Sequence, residues 1–203
     1  MSITINGNGT ITGYTPVVAD GSITSAKLAA NSVNHTHTTG LQRRISTGPT
    51  AMTGGNMEHT VTSGVKKIEI LLANTSGNGN TNMRITLGDT NGHTNSGYGY
   101  AAGFHRTGVS SREGSVTNFT SGWETYGLDA NSYQIWGTWK LWNPHGNTWI
   151  GEHIFWGSQA ANHTFYGNGY KTLTDTLTSV RVHTNSTTFD SGYMTVIETF
   201  GDD

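Results

Sequence analysis

His35-Thr36-His37 is the sharpest chemical feature of the chain. Side chains two apart on an extended strand point to the same side, so both imidazoles face one way. Three such strands around a threefold axis would present six imidazoles to one divalent cation, with iron, zinc and nickel all admissible. Asn34 and Thr38 are placed to fix the ring tautomers from a second layer. The plainer reading is a solvated pair in a polar linker, since a chain with nine histidines meets this spacing easily by chance. Cysteine is absent, which excludes thiolate metal sites, disulfides and a cysteine nucleophile.

Acid–base chemistry has thinner support. Glu124 with Asp129, and Glu152 with His153, are the pairs that could be argued for glycoside hydrolysis, whose carboxyl groups sit roughly 5 to 9 Å apart. Nothing in their spacing distinguishes them from other polar pairs on a β-surface. A nucleophile elbow, a zinc-protease helix and a phosphate-cradling loop are all missing from the sequence, so no catalytic residue is assigned. Asp89-x-Asn91-Gly92 echoes a calcium loop but lacks the closing acid, and reads as a turn.

The aromatic residues carry more. Trp139 and Trp149 fall on alternating stretches and are expected in the core. Trp123, Tyr126, Trp142 and Trp156 have three open roles: subunit contact, ligand platform or core. An apolar ring beside Asn, Gln, Ser and His suits a neutral sugar, whose CH face stacks while its hydroxyls take directed hydrogen bonds. Trp123, Tyr126, Trp142 and His145 are therefore the candidate receptor-binding residues.

The elements that must position these groups read as β-strands. From about residue 45 onward, short alternating runs are separated by Gly/Asn turns. Met57–Val61 and Lys67–Leu72 are expected to pair across Ser63-Gly64, followed by Met83–Leu87. Tyr133–Trp142 places Tyr133, Ile135, Trp139 and Leu141 on one face, the expected core face, and Gln134, Trp136, Thr138, Lys140 and Trp142 on the other. Pro144-His145-Gly146-Asn147 predicts a turn that returns Thr148–Trp156 as a hairpin partner. Leu177–His183 and Tyr193–Glu198 complete the pattern, with 157–170 expected as a loop before a strand near Lys171–Leu173, and 89–132 as loop-rich with two irregular strands. Eight to ten strands of this kind predict an all-β, jelly-roll-like two-sheet β-sandwich over residues 46–203.

Residues 1–45 are expected as an extended segment with one short helical turn within Ser22–Val33. Their sparse apolar residues cannot repay an ordering cost of roughly 1 to 2 kcal/mol per residue for backbone alone. Such a segment is expected to be ordered only against copies of itself or docked into an assembly.

The run Ile3–Gly13 followed by Ala19-Asp20-Gly21-Ser22-Ile23-Thr24-Ser25-Ala26-Lys27-Leu28-Ala29-Ala30-Asn31-Ser32-Val33 resembles the attachment region of bacteriophage tail fibre proteins. Further elements resemble the all-β terminal domains of such fibres: Val65–Ile70, Arg84–Asp89, Ser96–Tyr98, Gly146–Ile150, Lys171–Leu173, Leu177–Val182 and Phe189–Gly192. The resemblance implies a short, homotrimeric, non-enzymatic fibre in the virion. Its N-terminus would attach to a tail or baseplate protein, and its tip would bind a bacterial surface glycan or outer-membrane protein. It also adds weight to an axial metal at His35 and His37, since fibres use that spacing. A capsid head fibre or decoration protein is the alternative within the virion, and a glycan hydrolase borne on the fibre is the alternative of another class.

Composition agrees with a neutral contact surface. Charged residues make up 12% and the net charge is −2, which gives nucleic acid no basic stripe to hold. No apolar run approaches the roughly 18 residues of a membrane span, and Met1–Thr4 does not open a secretory leader. Synthesis in the host cytoplasm and no membrane insertion are the expectations.

Overall fold

The computed structural model describes residues 4–5, 11–12, 43–79, 81–106, 117–125, 133–158 and 163–200. The chain divides into two units, Met1–Thr39 and Gly40–Asp203. In the first, β1 (Thr4–Ile5) and β2 (Ile11–Thr12) pair antiparallel with Ile5 opposite Ile11. The helical turn expected within Ser22–Val33 lies outside the described residues.

The second unit contains β3 (Arg43–Ala51), β4 (Asn56–Thr60), β5 (Lys67–Gly77), β6 (Met83–Asp89) and β7 (Gly92–His93). Next come β8 (Gly99–Arg106), β9 (Thr117–Phe119), β10 (Trp123–Glu124), β11 (Ile135–His145) and β12 (Thr148–Gly157). The last are β13 (His163–Thr172), β14 (Ser179–Thr184) and β15 (Phe189–Phe200). A large sheet runs in the order β3-β15-β5-β11-β12-β13-β8-β9, and a small one in the order β10-β6-β14-β4 with β7 beside β6. The pairings are antiparallel, and no helix occurs among the described residues. The expected all-β two-sheet sandwich is the observed architecture.

Alternation decides which side of each strand is buried. The large sheet turns Ile68, Ile70 and Leu72 of β5, Ile135, Trp139 and Leu141 of β11, Phe155 of β12 and Val196 of β15 inward. They meet Met83, Ile85 and Leu87 of β6 and Val180 and Val182 of β14. Trp123 on β10 bridges the two layers: its ring is edge-on to Tyr98 at 6.0 Å and lies against Gly151 of the large sheet. A Cβ at position 151 would come 2.8 Å from that ring, so the tryptophan fits only because the facing residue has no side chain.

Two expected elements change. Met57–Val61 and Lys67–Leu72 do not pair with each other, because β4 lies in the small sheet and β5 in the large one. The partner of β4 is β14, which sets Met57 opposite Val182 and Glu58 opposite Arg181. The Arg181 guanidinium then donates to Glu58 at 3.0 and 3.1 Å. Residues 157–170, expected as a loop, contain most of β13, a ten-residue strand. Gly167 and Gly169 interrupt its alternation in sequence because the Tyr100 ring occupies their inner side, and a Cβ at Gly169 would meet it at 2.6 Å. The β11–β12 hairpin forms as predicted, with His145 opposite Thr148 and Gly146 at φ +53° in the turn.

Candidate functional site

The sequence-predicted site residues are dispersed. Trp123, expected at a receptor contact, is fully buried between the sheets and has no surface to offer a ligand. Its Gly-flanked context suggested a loop, but register with Ile85 places it on an edge strand of the small sheet, with its side chain facing Gly151 of the large one. Tyr126, His35 and His37 lie outside the described residues. Trp142 is half-buried on the outer side of β11, with Lys67 Nζ 6.0 Å from its ring centroid. His145 is exposed beside the β11–β12 turn, so these two candidates share one hairpin end.

The acid–base pairs do not assemble. Glu152 and His153 are consecutive on β12 and therefore point to opposite faces, Glu152 to solvent and His153 into the core. The Tyr100 hydroxyl bonds His153 Nδ1, and burial pulls the imidazole pKa down to about 3, so the ring stays neutral. Glu124 is buried and serves as a structural acceptor. Arg84 Nε and Nη2 donate to its Oε2 at 2.9 and 2.6 Å, and the Asn82 and Asn185 amides donate to its Oε1 at 2.6 and 2.9 Å. Its proposed partner Asp129 lies outside the described residues.

A third constellation lies on the outer side of the small sheet. His93 Nε2 is 3.0 Å from Ser179 Oγ and 3.2 Å from Glu58 Oε1. In a nucleophilic triad the base faces the nucleophile with one ring nitrogen and its orienting carboxylate with the other. Here serine and carboxylate crowd the same nitrogen, so the group is a cross-strand tie. Burial opposes ionisation of Glu58, but hydrogen bonds and charge from His93 and Arg181 outweigh it and hold its pKa low. Asp89 is likewise structural: Thr174 Oγ1 donates to it at 2.7 Å and the Asn91 amide at 2.8 Å, and these bonds lower its pKa. The Asp89-x-Asn91-Gly92 stretch is a turn that ties two loops. No group of three or more His, Asp or Glu placed to hold a metal occurs among the described residues.

The conspicuous surface is the outer face of the large sheet. All seven exposed large hydrophobic side chains among the described residues lie on it: Leu71, Ile150, Ile154, Trp156, Tyr166, Tyr170 and Tyr193. Antiparallel register sets Trp136 beside Trp156, Ile154 beside Tyr166, and Ile150 between Trp142 and Tyr170. The Trp136 and Trp156 rings are 5.0 Å apart. Between the apolar rows runs a polar one, Lys140–Glu152–Asn168. Tyr170 is braced from the side, since its ring covers Gly99 on β8 so closely that a Cβ there would sit 2.7 Å away. By contrast, the outer side of the small sheet carries Glu58, Arg84, Ser179 and Arg181.

The sequence reading named the aromatic residues of this face, Trp136, Trp142, Trp156, Tyr166 and Tyr170, but did not join them with Leu71, Ile150, Ile154 and Tyr193 into one surface. The available signal was β12 itself, where Trp149, Gly151, His153 and Phe155 alternate with Ile150, Glu152, Ile154 and Trp156. A strand apolar on both sides is one that has something to bury on both sides.

No protein-family model matches the chain, and comparison with curated proteins and with solved structures returns no match.

Proposed function

We propose that the chain is a non-enzymatic structural and adhesion protein of a virion: a short, homotrimeric phage tail fibre. Its N-terminal unit attaches to a tail or baseplate protein, and its β-sandwich engages a bacterial surface glycan or outer-membrane protein. The observation that carries this reading is the one-sided distribution of exposed apolar side chains on the large sheet. Contiguous apolar patches beyond a few hundred Å² mark sites of contact with other molecules. Two depressions among the described residues have volumes of about 280 and 130 Å³, below the roughly 300 to 1,000 Å³ of small-molecule sites.

His145 is exposed at the β11–β12 turn, and Trp142 and Tyr126 are proposed with it as receptor contacts. His35 and His37 would hold a divalent metal on the trimer axis. Immunogold labelling of phage particles with antibody against the sandwich tests the reading. Gold at the tail with bound antibody blocking adsorption is the expected result. Gold on the capsid would assign a head fibre or decoration protein. Release of oligosaccharide from purified host polysaccharide would assign a glycan hydrolase.

A further inference from the structure

We infer that the outer face of the large sheet is buried against other copies of this same chain, with Ile154, Trp156, Tyr166 and Tyr170 at its centre. This deepens the proposed homo-oligomeric fibre by naming the surface that assembles it. Three features select a second copy as the occupant.

The first is area. Seven large side chains, each about half exposed, present on the order of 600 Å² of mostly apolar surface, close to the roughly 800 Å² per partner of a standard specific interface. The second is charge. Cations and anions alternate on this face: Lys67 meets Glu69 at 2.9 Å, Arg44 meets Glu69 at 3.2 Å, and Lys140 stands 3.9 Å from Glu152. A patch with one dominant sign would repel its own copy, whereas a mixed one lets Lys140 of one chain meet Glu152 of the next. The third is composition. Aromatic residues are enriched, as in the desolvated centre of protein interfaces. The aliphatic Ile150 and Ile154, 42% and 59% exposed, offer nothing to the hydroxyls of a sugar but pack well against one another.

The test is sedimentation velocity of the full chain at micromolar concentration, paired with hydroxyl-radical footprinting of the same samples. The wild type is expected to sediment as a multimer in which Trp156, Tyr166 and Tyr170 are protected from oxidation. Ile154→Asp and Ile150→Asp, at solvent-facing positions, should each weaken association roughly thirtyfold or more and leave the β-sheet circular dichroism intact. Thr60→Asp, on the small sheet, should assemble normally. A dimer or a trimer with protected rings supports the inference, and the stoichiometry separately tests the trimeric fibre. A multimer whose three rings oxidise freely, or that ignores both isoleucine substitutions, overturns the inference while leaving the fibre reading standing. A monomeric wild type overturns the inference and the oligomeric reading together. A monomer whose rings become protected only on adding dextran or mannan also overturns it and gives the face to a glycan.

Discussion

At the residue scale the interior is organised around polar atoms held among rings. His153 stacks on Phe155 at 5.3 Å, meets Trp139 edge-on at 5.6 Å and bonds the Tyr100 hydroxyl. Protonating the ring would bury a charge among these apolar rings, which is why its pKa falls. The folded pKa of about 3 lies below the ordinary value of 6.5, so in between the unfolded chain binds a proton that the folded one refuses. Stability from this group is therefore complete above pH 6.5 and lost as pH falls toward 3. Between pH 7 and pH 5 the loss is about 2 kcal/mol. Chemical denaturation at the two pH values should show it, and His153→Phe, which keeps the stacked ring, should flatten the difference. An unchanged slope in the variant would place the acid sensitivity elsewhere. Residue types alone could not locate this histidine. His153 follows Glu152 in a pattern that resembles a surface pair, and only the register of β12 sends the two in opposite directions.

At the element scale, strands with enough large apolar residues in alternation were legible even where a glycine interrupts them, as Gly137 does in β11 and Gly151 in β12. Ile135, Trp139 and Leu141 are buried as their spacing predicts, and the hairpin through Gly146 follows from its turn residues. β13 was hidden because the close approach of Tyr100 requires glycine where an alternating apolar residue would have marked a strand. Sheet membership was equally hidden. The sequence around Ser63-Gly64 suits a turn, and only the pairing of β4 with β14 shows the chain crossing between layers there.

The start of the sandwich is a consequence with a test. β3 begins at Arg43, and Arg43–Ile45 pair with Phe200–Glu198 along the edge of the large sheet. A chain starting at Gly40 should fold like the parent. One starting at Gly48 loses the half of β3 that covers the backbone of Val196–Phe200, leaving an open edge that invites pairing with other chains. It should melt at a lower temperature and aggregate on heating. Equal melting of the two truncations would show that β3 contributes nothing to the sheet.

At the scale of the whole molecule two proposed sources of assembly, the sheet face and the N-terminal unit, can be separated chemically. If His35 and His37 ring a threefold axis, one iron, zinc or nickel ion should accompany three chains, because six imidazoles complete an octahedral shell. Elemental analysis of full-length protein never exposed to chelator should find that ratio, and the double variant His35→Ala/His37→Ala should lose the metal. The variant should still show the main unfolding transition of the sandwich at its original temperature, since the Gly40–Asp203 unit has its own core. It should also remain associated through Ile154, Trp156 and Tyr170, though more weakly, because linked contacts raise the effective concentration of one another. Metal-free wild-type protein would remove the axial site from the proposal without touching the sheet face. A double variant that dissociates completely would show that the extension alone holds the chains together.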